Sequence, residues 1–346
     1  MSRWDEVRAE LRERPRSWLV TGAAGFIGSH LVEELLRLGQ GVRGVDDFST
    51  GRRANLADVA ARVGADRFRE LHLLEGDIRD PAVCAKACEG APLVLHQAAL
   101  GSVPRSIADP ITSYAVNVGG SVNVLEAARG AGCARIVYAS SSSVYGDHPG
   151  LPKVETEIGE PLSPYAATKR IGEVWAGACF RAYALPVVGL RYFNVFGPRQ
   201  DPQGPYAAVI PRWIEALCTG QPAHLFGDGE TSRDFCPVAN VVQANLLAAT
   251  APASDACGRV FNVALGGRTS LNELFRALRD GLAAMGVDCA GAEPVREDFR
   301  PGDVRHSLAD VSAMERALGY APEVDFAEGI RATLGWFVQA ARGDHG

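Results

Sequence analysis

Six short apolar runs, each ending in small or polar residues and each separated from the next by a helix-period stretch, constrain this chain more than any other feature. Ser17-Trp18-Leu19-Val20-Thr21 runs into the turn Gly22-Ala23-Ala24-Gly25-Phe26-Ile27-Gly28, after which Leu31, Leu35, Leu36 and Leu38 recur at helical spacing. Gly41 to Val45 ends in Asp46, Leu71 to Leu74 leads into Gly76-Asp77-Ile78, and Pro92 to His96 leads into Gln97-Ala98-Ala99. Arg135 to Ala139 runs into Ser140-Ser141-Ser142-Ser143, and Pro186 to Leu190 into Arg191-Tyr192-Phe193-Asn194. Helical stretches such as Asn117 to Arg129 and Tyr165 to Tyr183 lie between them. The alternation predicts an α/β fold, a Rossmann-type doubly wound parallel sheet with ligands along the C-terminal ends of its strands.

Two groups of residues at those strand ends point to chemistry. In a strand-turn-helix with this glycine spacing, the backbone approaches a pyrophosphate at the positive end of the helix. Asp46 follows Gly28 by eighteen residues, at the end of the second run. An acid there bonds both hydroxyls of an adenosine ribose and disfavours a 2′-phosphate, so NAD is preferred over NADP. The plainer reading of Asp46 is a cap for the next helix. The second group is Tyr165 and Lys169. If Tyr165 opens a helix, Lys169 lies one turn further on the same face, where its charge favours the phenolate. A hydroxyl at the end of the preceding strand would hold the substrate oxygen that Tyr165 deprotonates. The plainer reading is an ordinary pair on a helix surface. The chain has only three lysines, Lys86, Lys153 and Lys169, beside eight tyrosines, and the spacing should arise by accident only about 0.07 times.

Beyond about Val195 the alternation weakens and loops rich in Gly, Pro and Arg take over, which predicts a smaller α/β substrate-binding domain. The expected division is an extension at 1–16, a cofactor-binding domain at 17–194 with about 234–263 returning to it, and the smaller domain at 195–233 and 264–346. Arg233 and Arg300 lie in such loops, and guanidinium groups suit a diphosphate. A chain of 346 residues with 47% hydrophobic content has ample core. Its net charge of -6 and pI near 5.7 argue against a nucleic-acid or anionic-membrane partner. No apolar run approaches the roughly 20 residues of a membrane span. Residues 1–16 are charged, lack the apolar centre of a signal peptide, and read as a short helix or a loosely held extension. The eight cysteines form neither a C-x-x-C pair nor a metal-ligand pattern, so they are expected to be reduced, in a cytoplasmic protein without a metal site.

The motifs resemble those of the extended short-chain dehydrogenase/reductases, and within them the nucleotide-sugar epimerases, from Trp18 to about Tyr320. The resemblance is carried in order by Thr21 to Gly28, Ser142-Ser143-Val144-Tyr145-Gly146, Tyr165-x-x-x-Lys169, Arg191 to Pro198 and Arg233-Asp234-Phe235. His96-Gln97-Ala98-Ala99-Leu100-Gly101-Ser102-Val103-Pro104-Arg105-Ser106 and Gly229 to Cys236 are similar to bacterial UDP-N-acetylglucosamine 4-epimerases of the WbpP type. The resemblance implies a UDP-sugar substrate, a recycled and tightly bound NAD, and a homodimer. Tyr165 would be the base, Lys169 its helper and Ser141 the hydroxyl on the 4-oxygen. Gly22, Gly25, Phe26, Ile27, Asp46, Asp77, Ile78, Gln97, Ala98, Ala99, Asn117 and Tyr192 would join Tyr165 and Lys169 around NAD. Ser102, Ser142, Ser143, Asn194, Ala208, Val209, Arg233, Arg300 and Asp303 would hold the UDP-sugar, with Leu225 and Phe226 near the uracil. Ser307 aligns with a gatekeeper that is tyrosine in epimerases restricted to unacetylated sugars, so serine there leaves room for an N-acetyl group.

The resemblance leaves three alternatives. A 4,6-dehydratase would need an acidic pair where Ser142 and Ser143 stand. A UDP-N-acetylhexosaminuronic acid 4-epimerase differs only in the C6 group, which Ser102, Ser142 and Ser143 would meet in either case. A non-catalytic NAD-binding scaffold or sensor would be expected to lack part of the triad, and Ser141, Tyr165 and Lys169 are all present.

Overall fold

The computed structural model describes residues 1–203, 207–299, 304–341 and 343. The chain opens with helix α1 (Arg3–Glu13), capped by Ser2 and Asp5 in a reciprocal box. The doubly wound region follows: β1 (Ser17–Thr21), α2 (Phe26–Arg37), β2 (Gly41–Asp46), α3 (Arg53–Val63), β3 (Leu71–Glu75), α4 (Pro81–Cys88) and β4 (Leu93–His96). Next come α5 (Ser121–Gly130), β5 (Arg135–Ser141), α6 (Pro164–Tyr183) and β6 (Val187–Tyr192). The remainder holds α7 (Val209–Thr219), β7 (His224–Phe226), α8 (Val238–Thr250), β8 (Val260–Val263), α9 (Leu271–Ala284), β9 (Val295–Glu297) and α10 (Phe326–Ala341).

Seven strands form one all-parallel sheet in the order β8-β6-β5-β4-β1-β2-β3. The order reverses at β1, between β2 and β4, and a cleft opens there above the C-terminal ends. Side-chain alternation splits the core across the sheet. Trp18 and Val20 pack on one face with α1, α2 and α8, whereas Leu19, Val94 and Ile136 pack on the other with α4, α5 and α6. A further core joins α7, α9, α10 and Leu225 of β7. Residues 234–263 supply α8 and the edge strand β8.

Several details depart from the sequence reading. Of the two readings of residues 1–16, the short helix is the one found and the loosely held extension is not, because Trp4, Val7 and Leu11 of α1 are buried in the main core. The helix Ser312–Leu318 falls in the stretch expected to belong to the smaller domain, yet its Met314 and Leu318 also pack in the main core. β5 runs two residues past Ala139, so Ser140 and Ser141 are strand residues on opposite faces. The helix expected from Asn117 is entered through Pro110–Tyr114 and a wide π turn at Ala115–Gly120, a form often found beside functional sites. All eight cysteines are free, and six are buried. Among the described residues no helix is long and apolar enough to cross a membrane.

Candidate active site

The turn after β1 requires its glycines. Gly22 has φ of +70°, and a Cβ there would stand 2.9 Å from the Ala98 nitrogen. A Cβ on Gly28 would stand 1.9 Å from the Gly22 carbonyl, so only glycine lets α2 pack this close to the turn. α2 begins at Phe26 with no side-chain cap on its first N–H groups, which leaves donors at the positive end of the helix for an anion. Asp46 is 6% exposed and accepts from Ala24 N and Phe48 N, each at 2.8 Å. Burial raises its pKa, and the backbone donors oppose the rise. It therefore ties the glycine turn to the end of β2 while lining the cleft.

That cleft has a volume of about 340 Å³ and is lined by Gly22, Gly25, Phe26, Ile27, Asp46, Asp77, Ile78, Gln97, Ala98, Ala99, Tyr165, Lys169 and Tyr192, all expected around NAD. A bare glycine turn, an uncapped helix start and an acid at the end of β2 suit the pyrophosphate and adenosine ribose of a dinucleotide. Asp77 accepts from Arg79 N at 2.8 Å and Arg79 Nε at 2.7 Å, and the Arg79 guanidinium lowers its pKa. Gln97, Tyr192 and Asn245 form a closed ring: Tyr192 Oη to Gln97 Oε1 at 3.0 Å, Gln97 Nε2 to Asn245 Oδ1 at 3.1 Å, and Asn245 Nδ2 to Tyr192 Oη at 2.8 Å. Asn117 stands behind the lining. It clamps Leu100 by both backbone groups at 2.7 and 3.0 Å and reaches Thr168 Oγ1 at 3.2 Å.

Tyr165 and Lys169 lie near the start of α6, which Ser163 caps through Ala166 N. Ser106 Oγ accepts from Tyr165 N at 2.9 Å. Both side chains are partly buried and face the cleft. Burial pushes the Tyr165 pKa upward, and the neighbouring Ser141 hydroxyl opposes that push. Ser141 Oγ accepts from Ser143 N at 3.1 Å and Ser143 Oγ at 3.0 Å. Lys169 Nζ sits 6.0 Å from the Tyr165 ring centroid and donates to Ala139 O at 3.0 Å. Burial pushes Lys169 down to about 8. Ser140, on the opposite face of β5, donates to Glu173 Oε1 at 2.6 Å.

A second cavity, of about 850 Å³, is lined by Asn194, Val209, Phe226 and Arg233 among the predicted substrate residues. Asn194 adopts φ of +31°, tolerable for asparagine, and donates to Asp234 O at 3.3 Å. Arg233 Nη1 donates to Ser232 O at 3.0 Å. Leu225 is fully buried in the core of the smaller part. Alternation along β7 instead turns His224 and Phe226 to the cavity. Ser102, Ser142, Ser143, Ala208 and Ser307 line neither cavity. Ser102 caps the helix Val103–Ala108, Ser142 and Ser143 form a 3-10 turn, Ala208 precedes α7, and Ser307 N donates to Ser232 O at 3.0 Å. Arg300 and Asp303 lie outside the described residues.

Asn245, Ser106 and Glu173 escaped the sequence reading. Asn245 had a signal, a polar residue within the apolar run of α8. Ser106 closes the His96–Ser106 stretch, where a serine carries no signal of its own. Glu173 looked like an ordinary helix residue.

The sequence profile of the NAD dependent epimerase/dehydratase family matches residues 18–264. This chain belongs to that family. A UDP-glucose 4-epimerase of Mycolicibacterium smegmatis is 41% identical over 324 residues, covering 92% of this chain and 97% of that protein. The structure of a UDP-N-acetylglucosamine 4-epimerase from Methanobrevibacter ruminantium, in complex with UDP-N-acetylmuramic acid, superposes with a TM-score of 0.85 at 37% identity, covering 94% of this chain and 99% of that one. A UDP-glucose 4-epimerase from Thermus thermophilus, in complex with NAD, superposes with a TM-score of 0.79 at 35% identity, covering 94% and 99%. The protein is an epimerase, an isomerase that uses NAD.

Proposed function

We propose that this nucleotide-sugar 4-epimerase acts on UDP-N-acetylhexosamines, interconverting UDP-GlcNAc and UDP-GalNAc, with UDP-Glc and UDP-Gal as further substrates. The observation that carries the reading is that Tyr165 and Lys169 meet on the lining of the dinucleotide cleft, with Ser141 beside Tyr165 at the end of β5. A second cavity presents Asn194 and Arg233 for a nucleoside diphosphate. NAD held by Gly22, Gly25, Asp46 and the rest of the cleft lining would supply the hydride acceptor and donor for the sugar C4. Tyr165 Oη takes the proton of the 4-hydroxyl and gives it back after the hydride has returned. Ser141 Oγ holds the same sugar oxygen in reach of Tyr165. Lys169, fixed by the Ala139 carbonyl, places a positive charge beside the phenol. Arg233 and Asn194 hold the diphosphate while the 4-keto sugar turns. Because each cycle restores NAD, the cofactor stays with the enzyme.

The likeness of His96–Ser106 and Gly229–Cys236 to the WbpP-type enzymes, with serine at 307, supports the acetylated substrate. Serines at 142 and 143, in place of an acidic pair, support epimerisation over dehydration. The exposed side chains of Ile107, Ile111, Tyr114, Ile171, Val174 and Trp175 lie on helices that touch one another and support a homodimer through this face. Light scattering of Trp175→Glu should then report a monomer where the unaltered chain is a dimer. The free cysteines suit a reducing cytoplasm. The deciding experiment incubates the purified protein, without added NAD, with UDP-GlcNAc, UDP-Glc and UDP-GlcNAcA separately, and follows the 4-epimers by NMR. UDP-GalNAc is expected. Turnover of the uronic acid alone would replace this substrate by the C6 carboxylate.

A further inference from the structure

α6 carries a third polar residue in line with Tyr165 and Lys169: Glu173, one further turn along. It is 6% exposed, and its carboxylate is fully engaged. Arg191 of β6 grips both oxygens, Nε to Oε1 and Nη2 to Oε2, each at 2.8 Å. Ser140 Oγ donates to Oε1 at 2.6 Å, and Arg170 Nη1 reaches Oε2 at 3.3 Å. One residue earlier on β5, the Ala139 carbonyl accepts Lys169 Nζ at 3.0 Å. Consecutive strand residues therefore hold side chains one helical turn apart, fastening α6 to the end of β5 through Lys169 and Glu173 together. Stability alone does not call for this arrangement, since a packed apolar pair serves a core as well as a buried ion pair.

The geometry points to Glu173 as a positioning residue for the reaction, one that fixes Lys169 at the end of β5 and supplies the negative charge behind its ammonium group. The inference rests on the roles proposed for Tyr165 and Lys169. Burial pushes Lys169 down to about 8, and the Glu173 carboxylate opposes that push. The other titratable groups facing this pair are few. Tyr165 shares the helix, and His96 at the end of β4 is held neutral, at about 3, by burial and by the Lys169 charge. Around Glu173 stand Arg170 on α6, Arg191 on β6 and Tyr138 on β5. The Arg191 charge offsets part of the Glu173 field at Lys169, so removing one or the other must act on Lys169 in opposite directions.

With three lysines in the chain, side-chain NMR of lysine-labelled enzyme reads Lys169 directly, assigned by the signal lost in Lys169→Arg. The titration is run on the purified holoenzyme and again after NAD is stripped. Glu173→Gln should lower the Lys169 midpoint by about one pH unit and draw the alkaline limb of kcat down with it, while Arg191→Met moves both upward. An unchanged midpoint in folded Glu173→Gln overturns the inference. Should that variant fail to fold with Arg191 left unpaired, Glu173→Gln/Arg191→Met is compared with Arg191→Met. A lower midpoint in the double variant supports the inference, and equal midpoints overturn it. A shifted midpoint in a protein that turns over no UDP-sugar would remove the proposed function and leave the Lys169 environment as described. Epimerase activity with no shift would do the reverse.

Discussion

Tyr165 reaches the cleft from the first turn of α6, with its backbone fixed by Ser106 and Ser141 beside its hydroxyl. Burial pushes the phenol pKa upward, so in the proposed mechanism the charge that releases its proton has to be assembled around it, with Lys169 contributing while it stays protonated. Tyr165→Phe preserves the ring and its packing and removes only the transferable proton. It should lower kcat about 10²–10⁴-fold with KM little changed, followed by NMR of UDP-GlcNAc turnover; full activity in a soluble Tyr165→Phe protein would eliminate Tyr165 as the base. The proposed limit on substrate size lies elsewhere. Ser307 is anchored by its backbone to Ser232, next to Arg233, so a larger side chain there projects from a fixed point. Ser307→Tyr should cut UDP-GlcNAc turnover about 100-fold or more while sparing UDP-Glc, because a pocket excludes an added group by clash more strongly than it rewards a matching one. Intact UDP-GlcNAc turnover would mean that another residue meets the N-acetyl group.

The turn between β1 and α2 is the element whose sequence and structure agree most closely. Its requirement is steric and local: Gly22 needs positive φ, and Gly28 lies under the Gly22 carbonyl. Gly28→Ala places a methyl 1.9 Å from that carbonyl and must push α2 away from the turn. The expected result is loss of about 2 kcal/mol or more of stability together with loss of copurified NAD, measured by denaturant unfolding and by chromatography of the released nucleotide. Retention of both would mean that the helix absorbs the methyl without moving. The six strands of the doubly wound region were legible for a similar reason, since each is a continuous apolar run bounded by small residues. Features that depend on partners distant in sequence were not. Ser140 and Ser141 look alike in the chain, and only the extension of β5 past Ala139 separates the one that meets Glu173 from the one that meets Tyr165. Leu225 and His224 exchange roles because β7 is half-buried, and the side it turns inward is set by α7 and α9. α1 is too charged to announce a buried face, yet Val7 and Leu11 recur at helical spacing and fill one.

At the scale of the whole molecule, buried titratable groups tie separate segments together and fix how stability depends on pH. His30 on α2 bonds the Pro198 carbonyl at 3.0 Å, and His96 bridges Thr21 at 2.7 Å and Ser121 at 3.0 Å. Asp234 is fully buried, and its carboxylate gathers the backbone N–H groups of Leu265, Gly266 and Ala309 at 3.0 to 3.2 Å. Burial lowers both histidines from 6.5 to about 3. Their native pKa values lie below those of the unfolded chain, so the stability they contribute is complete above pH 6.5 and is lost as pH falls toward 3. Asp234 has the opposite sign. Burial raises it from 3.8 to about 6, so its contribution is complete below about pH 4 and is lost as pH rises through 6. Between pH 4 and 6 the unfolded chain takes up protons at both histidines, whereas the native state takes one up at Asp234. Across these three groups the unfolded chain therefore holds about one proton more, a contribution of about 1.4 kcal/mol per pH unit toward greater stability at higher pH, which the raised carboxyls of Asp46 and Glu34 reduce. Asp234→Asn removes the opposing group and should roughly double that slope, even though the carboxamide turns an N–H toward donors and weakens the fold at every pH. Urea unfolding of both proteins at pH 4.5, 5.5 and 6.5 measures the two slopes. A flat profile for the unaltered chain would mean that the two histidines do not dominate its pH dependence, and equal slopes for the two proteins would show that the Asp234 carboxyl is already ionised across this range.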